Sequence, residues 1–213
     1  TLLNASRNLS SFDVPLAGIN LGRLGFLVDI SPQDINEKLD EILSGEYVDE
    51  ERLLLHAQVI RDGKLVMNAD ALNDVVIHKW EVARMIEFEI SINGQHVNTH
   101  RSDGLIVSTP TGSTAYALSA GGPILHPALN AIALVPLCPH ALSNRPIVIN
   151  ADSLIEITVS QEKSGDAQLT CDGQIYHRME TGDKALIKAK SSKLQLLHPV
   201  DYDYYDILRA KLH

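Results

Sequence analysis

Residues 101–127 read RSDGLIVSTPTGSTAYALSAGGPILHP and gather most of the chemically capable side chains of the chain. Within them, Ser108-Thr109-Pro110-Thr111-Gly112-Ser113-Thr114 holds five hydroxyls in seven residues. Pro110 and Gly112 break regular structure there. The apolar run Leu105 to Val107 ahead of it predicts a buried strand. Ala115 to Ala120 behind it suits a short helix, which Gly121-Gly122-Pro123 would stop. Such a strand, turn and helix start aims unpaired backbone N–H groups and the positive end of a helix dipole at one spot. A phosphate or another anionic oxygen suits that spot. A helix cap by Ser113 or Thr114 is the plainer reading of the hydroxyls alone. Arg101 and Asp103 at the start of the strand, and Tyr116 within a turn of the cap, add charge and a ring of the kind a ligand pocket gathers. The Gly-Lys-Ser/Thr of a Walker loop is missing, and Gly112 lacks the partners of a Rossmann glycine fingerprint.

Three further places could carry chemistry. Asn73-Asp74 precedes the apolar Val75-Val76-Ile77. An adjacent amide and carboxylate can grip a ribose diol, one donating and the other accepting. The same dipeptide also makes an ordinary turn. Arg84 precedes an alternating strand pattern and is by type a surface cation. Asp172-Gly173 is a hairpin signal between two strands, with Gln174 after it. His78, His96, His100, His126 and His140 show no metal-ligand spacing with Cys or with each other, so they read as surface or hydrogen-bonded side chains.

Composition bounds what these residues can serve. The 213 residues carry a net charge of −9, which argues against non-specific nucleic-acid binding. An acidic chain can still bind an anionic cofactor in a locally positive pocket. Hydrophobic residues make up 45%, enough for a substantial core. No apolar run reaches membrane-spanning length, and no signal-like region comes after TLLNASRNLS, so no membrane role is expected. The two cysteines, Cys138 and Cys171, form no CxxC pair, which fits a reducing cytoplasm.

The elements that position the candidate residues change character along the chain. Residues 2 to 9 suit the tail of a helix, and Val14 to Ile19 a buried strand. Ser31-Pro32-Gln33-Asp34 starts a helix with apolar Ile35, Leu39, Ile42 and Leu43, and Gly45 ends it. Beyond it come many short strands. Ile86, Phe88, Ile90 and Ile92 alternate with polar residues ahead of the hairpin signal Asn93-Gly94. Later apolar runs continue to Leu197, the pattern of an all-β body. Tyr202 to Leu212 reads as a last helix with Tyr205, Leu208 and Leu212 on one side. The expected fold class is α+β. Residues 1–46 form an α/β, Rossmann-like remnant, 47–200 a large all-β domain, and 201–213 a C-terminal helix packing back on the first part.

The 101–127 stretch resembles the signature of the NAD kinase family, ATP-dependent enzymes that phosphorylate NAD to NADP. Matching motifs run from Gly18 to Leu27, through Asn73-Asp74 and Arg101 to Pro127, to Pro139–Ile149 and Cys171–Gln174. The family has an Asn and an acidic residue, most often Glu, where this chain has Asn73-Asp74. The resemblance implies a β-rich domain that binds NAD or NADP, with ATP and a divalent metal such as Mg as further reactants. The implied dinucleotide contacts are Asn73, Asp74, Arg84, Arg101, Asp103, Thr111, Gln174 and the run Thr114, Ala115, Tyr116, Ala117, Leu118 and Ser119. Thr114 would offer a hydroxyl and a helix-start N–H, and Tyr116 would pack on adenosine. Asp103 would accept from an amino or amide group, across a subunit contact in a dimer or tetramer. Arg101 would either hold Asp103 or meet a phosphate. Phe26 and Leu3 would line the apolar side. The catalytic Asp of the family lies in a Gly-Gly-Asp-Gly motif that does not occur in these residues, and Thr1-Leu2-Leu3 resembles the residues directly after that motif. The expectation is a chain that binds NAD but turns it over poorly. A non-catalytic NAD(P)-binding module and a related lipid kinase are the alternatives.

Overall fold

The computed structural model describes residues 1–21, 25–80, 85–139, 144–160 and 167–212. The elements begin with α1 (Leu2–Leu9), β1 (Leu16–Ala17), α2 (Ile35–Ser44) and β2 (Val48–Arg52). Six strands come next: β3 (Leu55–Arg61), β4 (Lys64–Ala71), β5 (Asp74–Lys79), β6 (Ile86–Ile92), β7 (Gln95–Ser102) and β8 (Gly104–Ser108). After them come a 3-10 turn (Gly112–Thr114), α3 (Tyr116–Ser119), β9 (Ala131–Leu137) and β10 (Ile147–Asn150). The chain closes with β11 (Ile155–Val159), β12 (Ala167–Cys171), β13 (Ile175–Met179), β14 (Lys184–Ala189), β15 (Leu194–His198) and α4 (Tyr204–Leu212). A small part with helices, a large all-β part and a C-terminal helix make up the α+β class. Two compact units result, residues 1–52 with 192–213 and residues 53–191. Strands β2 and β15, on the far side of the texture change near residue 46, both group with the N-terminal elements, as does α4.

The larger unit holds two six-stranded sheets, in orders β4-β3-β14-β11-β6-β7 and β10-β9-β8-β5-β12-β13. All their pairings are antiparallel. Side chains alternate between faces along a strand, so one register of every strand points into a shared core. Ala57 and Val59 of β3, Phe88 and Ile90 of β6, and Ile155 and Ile157 of β11 supply it from one sheet. Val75 and Ile77 of β5, Leu105 and Val107 of β8, and Leu169 and Cys171 of β12 supply it from the other. The β6–β7 hairpin turns at Asn93 and Gly94, whose φ values of 52° and 76° match the primed turn that this dipeptide favours. The second sheet is also covered on its other face. Val76, Ile106, Ala133, Val135 and Leu137 pack there against Ala117 and Leu125. Burial on both faces explains why β8 and β9 read as unbroken apolar runs instead of alternating.

The smaller unit is built on a three-stranded sheet, β1-β15-β2, with β1 parallel to β15. Ser31 accepts from the N–H of Gln33 and Asp34, but the helix proper begins at Ile35 with Asp34 as its cap, after one turn of irregular chain. Gly45 ends it in the left-handed region, at φ 92°. The side of α4 that is buried carries Tyr204 and Ile207, whereas Tyr205 and Leu212 are exposed. The interior of this unit is charged as well as apolar. His198 is buried, with Nδ1 2.9 Å from Asp29 Oδ2 and Nε2 3.2 Å from Glu50 Oε2. Arg52 pairs with the same Glu50, and the Tyr202 ring stacks on the imidazole with centroids 3.9 Å apart. Burial alone would lower the His198 pKa, but the carboxylates at both ring nitrogens outweigh it and raise it.

Candidate functional site

A cavity of about 580 Å³ opens on the face of the second sheet that carries α3. That is within the size range of small-molecule sites. Strand β5 supplies Asp74, Val76 and His78, every second residue, and ends at Lys79. From β12 and the turn after it come Thr170, Asp172 and Gly173, and from β13 Tyr176. Asn73, Asp103, Ala115, Tyr116, Leu137 and Cys138 complete the wall. The core register of β5 and β12 lies beneath, so the period of two separates packing residues from site residues on the same strands.

Asp172 organises the floor. Its Oδ1 accepts from the N–H of Asn73 at 2.7 Å and of Asp74 at 3.3 Å, and its Oδ2 from that of Leu72 at 3.1 Å. Asp172 and Gly173 sit at φ 52° and 60°, and Gln174 N–H closes the turn onto Cys171 O at 3.0 Å. The expected hairpin is present, and its first turn residue reaches across to a loop about a hundred residues away in sequence. Asp74 is only 5% exposed. Its carboxyl has no hydrogen-bond partner among the described residues. Burial, with the Asp172 carboxylate nearby, pushes its pKa up to about 7. Asp103 Oδ1 pairs with Lys79 Nζ at 2.7 Å, and their backbones join through Lys79 N–H and Asp103 O at 2.9 Å. His78 Nδ1 donates to Lys79 O at 2.9 Å.

The hydroxyl-rich turn does something other than form an open anion nest. Thr109 Oγ1 donates to Leu72 O at 2.6 Å and accepts from Gly112 N–H at 3.0 Å. Thr109 N–H donates to Asn73 O at 2.9 Å. Ser113 Oγ donates to Pro110 O at 2.6 Å and accepts from Leu125 N–H at 2.9 Å. Ser108 donates to Thr109 O and Thr114 to Thr111 O. These hydroxyls stitch the turn to the Leu72-Asn73 backbone and to itself. The helix after it is four residues long and has no dipole end worth the name. Gly112 is required by contact: a Cβ there would lie 2.0 Å from Asn73 O. Loss of the side chain lets the turn lie directly against the Asn73 backbone.

Of the residues singled out from sequence, Asn73, Asp74, Asp103, Ala115 and Tyr116 line this one cavity. Tyr116 is half exposed there. Arg101 stands exposed on β7, opposite Glu87, and the cation beside Asp103 is Lys79. Thr111 and Ala117 are buried, Ala117 in the apolar layer under the sheet. Thr114 and Leu118 are half-buried, and Ser119 and Gln174 exposed, outside the lining. Leu3 and Phe26 belong to the smaller unit and are half-buried. Arg84 and His140 lie outside the described residues. Sequence reasoning passed over Lys79, Thr170, Tyr176 and the role of Asp172. The shared face of β5 was available as a signal for His78, two residues on from Val76.

Comparison with known proteins decides the family. Residues 72–198 match the model of the ATP-NAD kinase C-terminal domain, and residues 1–47 that of the ATP-NAD kinase N-terminal domain. The chain belongs to the ATP-NAD kinase family. It is 51% identical to the NAD kinase of Cellvibrio japonicus over 212 residues, all of this chain and 71% of that one. It is 52% identical to the NAD kinase of Nitrosococcus oceani, with 73% of that protein covered. Among solved structures, yeast NADH kinase complexed with NADH matches at a TM-score of 0.85 and 26% identity, over 91% of this chain and 58% of that one. An NAD kinase from Archaeoglobus fulgidus in complex with ATP matches at 0.73 and 27%, over 93% and 72%. No helix among the described residues is long and apolar enough to cross a membrane.

Proposed function

We propose that residues 53–191 hold the dinucleotide site of an NAD kinase, which transfers the terminal phosphate of ATP to the adenosine-ribose 2′-hydroxyl of NAD to give NADP. One observation carries this reading: Asn73, Asp74, Asp103 and Tyr116, from three separate segments, meet at one cavity. A dinucleotide brings to it a ribose diol, an aromatic base and an exocyclic amine. Asp74 accepts from the ribose hydroxyls and Asn73 donates. Tyr116 offers its face to adenine, a contact worth about 0.5–1.5 kcal/mol beyond area. Asp103 accepts from the amine, held in place by Lys79.

Phosphoryl transfer asks the protein chiefly for position and charge neutralisation. The buried ends of β5 and β12 give position, because Asp172 fixes the Asn73-Asp74 backbone. A Mg ion in such a reaction is held mostly by the substrate phosphates and water, with one or two carboxylates, and needs no cage of protein ligands. No group of three or more His, Cys, Asp or Glu that could hold an ion occurs among the described residues. The Gly-Gly-Asp-Gly motif is absent from the 213 residues. A protein comprising these residues alone is therefore expected to bind NAD and to form NADP slowly or not at all. Full turnover would show that a base lies within the chain, and Asp74 would be the first candidate. The reading extends to a cytoplasmic homo-oligomer; two cysteines that form no disulfide fit a reducing compartment. A mass measured in solution tests the oligomer.

Calorimetric titration of NAD into the parent, Asp74→Ala and Asp103→Ala proteins tests the site. Each substitution removes a carboxyl acceptor, worth about 0.5–1.5 kcal/mol when neutral and about 1.5–3 kcal/mol when charged, so a loss of affinity of about tenfold or more is expected. Affinity unchanged in both variants removes the cavity from the reaction.

A further inference from the structure

The cavity wall holds a nucleophile that dinucleotide binding leaves unused. We propose that Cys138 is a modification site: its thiol exchanges with small-molecule disulfides, and the adduct shuts the dinucleotide out of the cavity. The proposal rests on the reading of the cavity as a dinucleotide site. Cys138 directly follows β9, is exposed, and lines the same space as Tyr116 and Asp103. A separate observation marks that space as built for a ligand. The Asp74 carboxyl, 5% exposed, faces it with no hydrogen-bond partner among the described residues. A carboxyl so placed in a cavity wall is an acceptor that a docked ligand can meet.

The chemistry balances without a further reactant. The thiol loses its proton to solvent, and the thiolate attacks one sulfur of the disulfide. A new S–S bond forms to Cys138, the old one breaks, and its other half leaves as a thiolate. The disulfide itself is the oxidant, and excess thiol reverses the step. Selectivity follows from burial. The only other cysteine, Cys171, is 0% exposed in the core between the sheets, where no reagent reaches it. The consequence follows from volume. A group the size of a tripeptide, tethered to the wall, occupies a substantial part of a cavity of about 580 Å³.

The experiment uses the whole chain, reduced and then treated with glutathione disulfide. Peptide mass mapping locates the adduct, and calorimetry measures NAD affinity before treatment, after it, and after dithiothreitol. We expect the adduct on Cys138 alone, NAD binding about tenfold weaker or lost, full recovery with dithiothreitol, and slower labelling when NAD is present. In Cys138→Ser the ratio of treated to untreated affinity should be one. An adduct on Cys138 that leaves NAD affinity intact overturns the proposal, as does absence of any adduct there, or an equal loss in Cys138→Ser. Untreated protein that binds no NAD overturns the reading of the cavity and the proposal with it.

Discussion

The Asp172 carboxylate can be tested by changing one atom. In Asp172→Asn the amide oxygen can keep the two contacts of Oδ1, to the N–H groups of Asn73 and Asp74. The amide NH₂ then replaces Oδ2 and turns a donor toward the N–H of Leu72, which is left without an acceptor. A buried donor left in this way costs about 1–3 kcal/mol. About 2 kcal/mol corresponds to a fall in melting temperature of roughly 4–8 °C for a chain of this size. A second effect has the opposite sign and depends on pH. The substitution removes the negative charge that helps raise the pKa of Asp74. A carboxyl with a raised pKa when folded contributes fully below its unfolded pKa, and that contribution is lost as pH rises through the folded value. For the parent protein the loss runs from about pH 4 to about pH 7 and is on the order of 4 kcal/mol. In Asp172→Asn it must stop earlier, because Asp74 ionises more readily. Each unit by which the Asp74 pKa falls narrows the gap between the two proteins by about 1.4 kcal/mol.

The expected result is a variant clearly less stable than the parent at pH 5 and closer to it at pH 8. Denaturant midpoints at both pH values, read by circular dichroism, measure this, and the carboxyl carbon shift of Asp74 reports its pKa directly. A gap that is constant, or that widens with pH, would refute the claim that Asp172 acts on Asp74 through charge. No loss at pH 5 would refute its role as acceptor for the loop.

Two further substitutions probe the frame. Gly112→Ala places a methyl 2.0 Å from Asn73 O, a backbone atom that cannot step aside, so a loss of about 3 kcal/mol or more is expected in denaturant unfolding. NAD affinity should fall with it, since the turn and the Asn73-Asp74 pair move together. His198 has a raised pKa, so its ion pairs stabilise fully below its unfolded pKa and fade as pH rises through the folded value. His198→Gln should cost about 3 kcal/mol near pH 6 and less near pH 9, and an equal cost at both, in a pH series of unfolding curves, would show that the ring is held by packing alone.

What could be read in the sequence, and what could not, divides along the range of the interactions. The Asn93-Gly94 hairpin, the stop at Gly45 and the alternation of β6 are local, and the chain states them in adjacent letters. So does the pairing of Asn73 with Asp74 at the mouth of a strand. The purpose of the hydroxyls in STPTGST was not local. Five hydroxyls near a helix start suggest an open anion site when only neighbours are considered. Folded, Thr109 finds Leu72 O and Ser113 finds Leu125 N–H, and the partners decide the role. Asp172 is the same case with opposite sign. Its letters announce a turn, and the turn is there, but its carboxylate serves amides about a hundred residues upstream. The cation beside Asp103 proved to be Lys79 because β5 and β8 are paired antiparallel, which sets His78 against Gly104 and carries Lys79 past the end of the ladder to Asp103. Two functional segments of this cavity are thus held by a third, and the site is a property of strand register. A slip of β5 by one residue would turn Val75 and Ile77 to the cavity in place of Asp74, Val76 and His78, and would erase the cavity chemistry with the composition of the strand unchanged.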